Sequence, residues 1–544
     1  MTGAQGRGAD APAAVPRAAA GAGDEPVRVG RAVWLSAATM ASRVLGLVRD
    51  QLFAIVVGAN RFSDAFVVAF RIPNLLRDLF AEGALSSAFV PTFADYHRNR
   101  GRDAAYRLAN VVVAVVMLLV GSLTLLGIAF AGPIVHAMGL REGAPLAASL
   151  TRIMMPFLLL ISLAALAMGM LNAQSRFTAP AVAPALFNVG SIAVGAAMWF
   201  AGWPPERAVV GWAWGTLLGG ALQLGAQLPS LRALGFRARP RLARSDLRDP
   251  GLRRIGRLMA AAVVGLSATQ VNILVGTIFA TRQEAAATWL QMAFRLMQLP
   301  LGVFGFAIAT VAAAGVAQRA AARDMPAVKE TLGSAMRLVA FLNVPSAVGL
   351  AVLAGPIISL VYEHGRFGPV DAEATAQALL FYAVGLYGYS AVKVFAPAFY
   401  ALDEARIPVV GSVAGMACNV VLNVTLYPVL GFRGVALGTS LAAGANFAVL
   451  AWAWRRKHGG LGGSGIVPQL ARVLAASAVL AAVAWATARG LAEVLPPRGM
   501  RRQLALGLLP ILTGGSAYLA AARLLRIREM DELLGALRRR ARRR

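Results

Sequence analysis

The sequence predicts an all-α integral membrane protein of about fourteen transmembrane helices with both termini in the cytoplasm, and three observations carry this. First, 58% of the 544 residues are hydrophobic and only 14% are charged, with a mean hydropathy of +0.64. That composition excludes a disordered chain and is typical of a polytopic membrane protein. Second, the apolar residues fall into runs of roughly 20, the length that crosses about 30 Å of hydrocarbon. Third, arginines cluster after every second run, which is the signature of cytoplasmic loops.

In chain order the runs lie near 32–58, 62–93, 107–131, 148–173, 181–202, 207–229, 254–280, 285–318, 330–354, 374–401, 407–428, 433–454, 467–489 and 502–524. The second and eighth are over-long, so each is expected to be bent or broken, the second at Pro73. Basic connections follow even-numbered runs: Arg98, Arg100 and Arg102 after the second, nine arginines between Leu231 and Arg257 after the sixth, Arg319, Arg323 and Lys329 after the eighth, and Arg455, Arg456 and Lys457 after the twelfth. Nine more arginines lie between Arg523 and Arg544. The loop before the last run, with Arg498, Arg501 and Arg502, fits the rule less well. Gly211, Gly215 and Gly219 space a small-residue stripe for close helix packing.

These features divide the chain. Residues 1–30 lack an apolar core, are no signal peptide, and are expected to form a disordered cytoplasmic extension. Residues 31–230 hold six spans, 231–257 a basic cytoplasmic connection, 258–456 six more, 467–525 the last two, and 526–544 a basic cytoplasmic tail. A net charge of +28 raises the question of nucleic acid, but the arginines sit at span ends without interleaved aromatics, so no nucleic-acid partner is expected. The lone Cys418 and the scattered His97, His136, His364 and His458 give no disulfide framework, metal site or cofactor motif.

The chemistry lies in the first two runs, which carry Arg43, Arg49, Asp50, Asp64, Arg71, Arg77, Asp78 and Glu82 at membrane depth. Each ionised side chain at a helix centre costs about 2.5–3.5 kcal/mol, so such residues belong against a water-filled cavity or a charged ligand. Ser36, Arg43 and Asp50 recur every seven residues, within about 20° of one line per step. Asp64 and Arg71 share a second line. Arg61, Arg71 and Asp78 are equally compatible with snorkelling to the interface. Arg295, in the eighth run, has no acid within a turn of its own helix. Surplus guanidinium groups suit a phosphate-bearing anion, because the planar fork donates two parallel hydrogen bonds. Over-long, Pro- or Gly-interrupted runs in both halves point to a site at a repeat interface.

Four strings carry a resemblance: ASRVLGLVRD (41–50), DAFVVAFRIPNLLRDLFAEGALSSAFVPTF (64–93), RFTAPAVAPALFNV (176–189) and VKVFAPAFYALDEARIPV (392–409). The chain resembles the MurJ/MviN family, lipid II flippases of the MOP exporter superfamily. The resemblance implies an N-lobe over 31–230 and a C-lobe over 258–456 that rock about a central cavity, with 467–525 forming a groove for the lipid tail. It implies transport of undecaprenyl-pyrophosphate-linked disaccharide-pentapeptide, lipid II, from the inner to the outer leaflet of the bacterial cytoplasmic membrane, for peptidoglycan synthesis. Membrane lipids, and the cell-wall synthesis machinery, are the further partners it suggests. By motif match, Arg43, Arg49 and Arg295 fall on the arginines associated with the pyrophosphate, and Asp64, Arg77 and Glu82 on charged positions required for activity. Two departures stand out. Arg295 is flanked by Ala293, Phe294 and Gln298 where relatives carry acids, and the positions of a cation site hold the neutral Asn419, Asn423 and Thr439.

Rival readings are an exporter of another lipid-linked oligosaccharide, a cationic-drug exporter, a membrane glycosyltransferase and a scaffold. A cation exporter calls for acidic cavity residues. An enzyme calls for paired carboxylates in a sizeable loop, and the loop 230–253 is an arginine run with two isolated aspartates. A scaffold leaves the charged helices unexplained. The sequence therefore predicts a non-enzymatic transporter.

Overall fold

The computed structural model describes residues 29–79, 85–461, 465–496, 499–531 and 535. Among the described residues the chain is helical throughout, with no strand. Helix α1 (Val29–Val57) ends at Gly58, whose φ of +77° turns the chain. Helix α2 (Arg61–Leu76) starts on a capping box: Asn60 accepts from the amides of Phe62 and Ser63, and Ser63 Oγ accepts from the amide of Asn60. Contrary to expectation, Pro73 does not break this helix, which runs to Leu76 and then widens into a π-type turn over 77–79. The run Ala65–Ala69 ahead of it is buried, and an interior proline costs a helix roughly 3 kcal/mol, which burial of this face opposes. Glu82 lies outside the described residues.

After α3 (Ser86–Asn99) come α4 (Arg102–Ala129), α5 (Ala131–Ala137), α6 (Ala144–Met154), α7 (Pro156–Ala173), α8 (Thr178–Phe200), α9 (Pro205–Gly225) and α10 (Leu228–Ala233). Helix α11 (Pro250–Ala280) is started by Asp249, which accepts from the amides of Gly251 and Leu252, and by Pro250 in the first turn, where no amide is missed. Helix α12 (Ala286–Pro300) passes through a π-helical turn, Leu301–Gly305, into α13 (Phe306–Ala321). The expected interruption of the eighth run is thus a change of winding beside Pro300. Then follow α14 (Met325–Val352), α15 (Ala354–Tyr362), α16 (Pro369–Ala383) and α17 (Leu386–Ala401), the last two bent by 42°. The chain closes with α18 (Arg406–Leu430), α19 (Phe432–His458), α20 (Ile466–Val494) and α21 (Met500–Leu524).

Among the described residues nine helical segments are long and apolar enough to cross a membrane, or ten if the bent pair α16–α17 is one span. This is a multi-pass membrane protein. The expected runs that fall short coincide with α1, α2–α3, α9 and α11. Each has a physical reason to fall short: charges at depth in α1 and α2, the 14-residue length of α3, glycines in α9, and three arginines opening α11.

One core is shared between the halves and joins Phe53 and Trp212 to Trp289, Tyr362, Phe367 and Phe432. Two others are more local, the first around Phe89, Phe93 and Tyr106, reaching Ile255 of α11, and the second within the other half around Phe395, Phe399 and Trp454. The halves are therefore fused around the turn between α1 and α2. There the loop after α15 caps α1: the Arg366 amide donates to Ile55 O (3.1 Å), and its guanidinium donates to Val56 O and Trp203 O. Only glycine fits at 365, where φ is +61° and a Cβ would stand 2.6 Å from the Ile55 carbonyl.

The last two helices pack on α14, with Tyr518 Oη donating to Phe341 O at 2.6 Å. The start of the basic tail is docked there too: Glu529, 4% exposed, pairs with Arg337 at 2.9 Å and accepts from Gln469.

Candidate functional site

Three helices build the site. Helix α1 presents Arg49 and Asp50, α2 lies beside it, and α12 brings Arg295 from the other half of the chain. Asp50 Oδ1 accepts from Arg49 Nε (3.2 Å) and Nη2 (3.0 Å), while Oδ2 contacts Arg295 Nη1 at 2.7 Å. Sequence reading found no acid for Arg295 on its own helix, and the fold supplies one from α1. One carboxylate thus serves two guanidinium groups, and the trio keeps one net positive charge. Arg49 also lies over the Phe187 ring, 5.4 Å from its centroid, a cation–π contact that orients the fork.

The trio lines a small pocket, part of it open to solvent, whose wall includes Phe187, Thr216 and Gln291. Its chemistry is a cationic, partly desolvated recess with aromatic sides. Its surplus positive charge and aromatic side are chemically suited to an anion.

The other expected residues are placed differently. Arg43 is exposed, its guanidinium lying against Gly302 in the π-turn, so a Cβ there would collide with it. Asp64 is 3% exposed and sits at the start of α12, accepting from the Thr288 amide (2.9 Å) and hydroxyl (2.7 Å). It caps a helix of the opposite half. Arg77 pairs with Asp78 at 2.8 Å, and Asp78 lies 3.5 Å from Gln270 Nε2 of α11. Asn423 donates to Asn419 (2.7 Å), Asn419 to Thr439 (3.4 Å), and Thr439 to Val435 O (2.7 Å). These three form a chain of bonds between α18 and α19, leaving Asn423 Oδ1 buried without a partner. Among the described residues no group of three or more His, Cys, Asp or Glu is placed to hold a metal ion.

Sequence reasoning passed over two site residues. Asp50 was legible only as a polar position on the Arg43 line, and Thr288 carried no signal, because its role exists only opposite Asp64.

A family profile described as "Lipid II flippase MurJ" matches residues 53–495. The chain belongs to that family. Arg43, Arg49 and Asp50 lie just ahead of the matched region, whereas Asp64, Arg77 and Arg295 fall within it. The probable lipid II flippase MurJ of Vibrio cholerae is 35% identical over 433 residues, covering 76% of this chain and 81% of the relative. The lipid II flippase MurJ of Burkholderia cenocepacia is 35% identical over 78% of this chain and 83% of its own. The probable lipid II flippase MurJ of Rhizobium meliloti is 33% identical over 501 residues, 89% of this chain and 91% of the relative. The fold matches a solved lipid II flippase MurJ in an inward closed conformation, with TM-score 0.74 and 24% identity over 90% of this chain and 98% of that one. It also matches an inward-facing multidrug-resistance MATE transporter of the MOP superfamily, with TM-score 0.66 and 15% identity over 78% of this chain and 98% of that one. The MurJ family expected from the sequence is thus found, and its fold is one that solved transporters of the MOP superfamily share.

Proposed function

We propose that this chain is a lipid II flippase of the bacterial cytoplasmic membrane. It carries the undecaprenyl-pyrophosphate-linked precursor from the inner to the outer leaflet without covalent chemistry, and delivers it to the cell-wall synthesis machinery outside. The observation that carries this reading is the Arg49–Asp50–Arg295 trio, which joins the two halves of the chain at an anion-suited pocket. The topology we infer is fourteen spans, counting α1, α2–α3, α9 and α11 with the ten apolar ones, and both termini cytoplasmic by arginine placement. In that frame the shared core and the Arg366 clasp close the outer side, and the pocket faces the cytoplasm.

The cycle we propose is alternating access. The diphosphate enters between Arg49 and Arg295 and competes with Asp50 for them, while Arg43 guards the approach at Gly302. The lobes, 31–230 and 258–456, then rock apart at the outer side once Asp64 leaves Thr288 and Arg366 releases α1. Arg77 keeps charge balanced along the path, and α20 and α21 (467–525) guide the lipid tail. Membrane potential contributes about 2.3 kcal/mol per charge per 100 mV to any step that moves a cavity charge across the field. Asn419, Asn423 and Thr439 lock α18 to α19 in this reading, since their donors are spent on one another and on Val435.

The test uses cells depleted of their own flippase, expressing the chain or its Arg49→Ala or Arg295→Ala variant. An externally added lipid II-cleaving toxin reports how much substrate reaches the outer leaflet. Cleavage with the parent and none with the variants is expected. Absence of cleavage with a well-expressed parent would point to another lipid-linked oligosaccharide.

A further inference from the structure

Asp64 and Arg71 stand seven residues apart on α2, and Thr288 and Arg295 stand seven apart on α12. Asp64 is bonded to Thr288. Two turns further on, about 10.5 Å along each axis, Arg71 and Arg295 reach the same level, within electrostatic reach of each other. Because α2 stays helical through Pro73, Arg71 keeps this register.

The two arginines are not equivalent. Arg295 has Asp50 at 2.7 Å. Among the described residues Arg71 makes no ion pair, and its Nε is buried without a hydrogen-bond partner. Among the described residues Nε is the one guanidinium nitrogen of Arg71 that is both buried and unpartnered. Tyr382 of α16 stands near Arg71 and packs its ring 5.2 Å from that of Phe294, the neighbour of Arg295, so one wall of the pair is aromatic, and Asp78, paired with Arg77, is the acid within electrostatic reach of Arg71. A buried donor with no acceptor costs free energy, more so when it is charged and faces another cation. An anion arriving beside Nε would supply the missing acceptor.

We infer that Arg71 is a substrate-binding residue that pairs with Arg295 to clamp one phosphate of a diphosphate-class anion. The inference rests on the flippase reading for the origin of that anion. Arg49, Arg71, Arg77 and Arg295 face Asp50 and Asp78 here. Arg71 supplies the charge that no carboxylate of the cluster has to surrender.

The experiment uses the purified full chain in lipid nanodiscs, with inorganic pyrophosphate and undecaprenyl pyrophosphate as probes. Variants are Arg71→Gln, Arg71→Lys and, as a remote control, Arg61→Gln. Loss of a charge-assisted contact is expected to weaken binding of both probes about tenfold or more in Arg71→Gln and to flatten the salt dependence of affinity. Arg71→Lys should recover part of the loss, and Arg61→Gln should bind like the parent. A folded Arg71→Gln protein with parental affinity and salt dependence overturns the inference, as does a parent that binds neither probe. Should Arg71-dependent pyrophosphate binding persist in a parent that fails to translocate lipid II, the anion clamp stands and the flippase reading falls.

Discussion

Replacing Asp50 by Asn tests the central contact most directly. Both carboxylate oxygens are engaged, one by Arg49 and one by Arg295, and the Asp50 side chain is only 13% exposed. Removing one member of a buried ion pair costs about 3–5 kcal/mol. Here the Arg295 side chain is 35% exposed, so water screens part of the loss, and asparagine still accepts one hydrogen bond. About 2–3 kcal/mol is the expected effect. Because the Asp50–Arg295 contact joins α1 to α12, that cost falls on the arrangement closed at the α1–α2 turn. A loss of 2–3 kcal/mol shifts the balance toward the opposite arrangement by roughly 30- to 150-fold. Spin labels at positions 61 and 284, which meet at the closed end through the Arg61 amide and Glu284 Oε1 at 3.2 Å, report that balance as a distance distribution in a Cys418→Ser background. Asp50→Asn should populate long distances, and adding Arg295→Gln should move the population less than additively. If the two substitutions add to within about 0.5 kcal/mol, the pair carries no coupling and the reasoning fails.

Three further outcomes follow from local geometry. Gly302→Ala places a Cβ on the Arg43 guanidinium, the far end of a flexible side chain; thermal stability should hold to about 1 kcal/mol while lipid II translocation falls several-fold, and unchanged translocation would remove Arg43 from the path. Gly365→Ala combines a positive φ with a collision at the Ile55 carbonyl and should destabilise by about 1–3 kcal/mol, whereas Gly355→Ala, whose Cβ meets nothing, should leave the melting curve in place. In the turn before α18, burial acts to raise the Glu404 carboxyl, but hydrogen bonds from Lys457 and His458 outweigh it and hold the group below its usual value. A depressed carboxyl stabilises the fold above the unfolded value of about 4.3 and loses that contribution as pH falls through its folded value. Glu404→Gln should therefore lower thermal stability at pH 7 by under about 1 kcal/mol and match the parent at pH 3; a deficit that persists at pH 3 would assign the effect to packing.

Composition, run length and arginine placement were enough to read an all-helical membrane protein, and the expected runs meet helix boundaries to within a few residues. That follows from physics, since a helix in hydrocarbon satisfies its own backbone and its length is set by the bilayer. The charged positions of α1 and α2 were legible for the same local reason: an ionised residue inside an apolar run is conspicuous in one dimension. Sequence alone could not say that Pro73 would be carried inside a helix, because the packing that holds it there comes from neighbouring helices. Nor could it pair Asp50 with Arg295, set Asp64 on the start of α12, or leave Arg71 opposite Arg295 without an ion pair of its own. Those arrangements join residues far apart along the chain. Only when α2 and α12 lie side by side does a seven-residue spacing in each become one register, and only then is each charge either matched or left over.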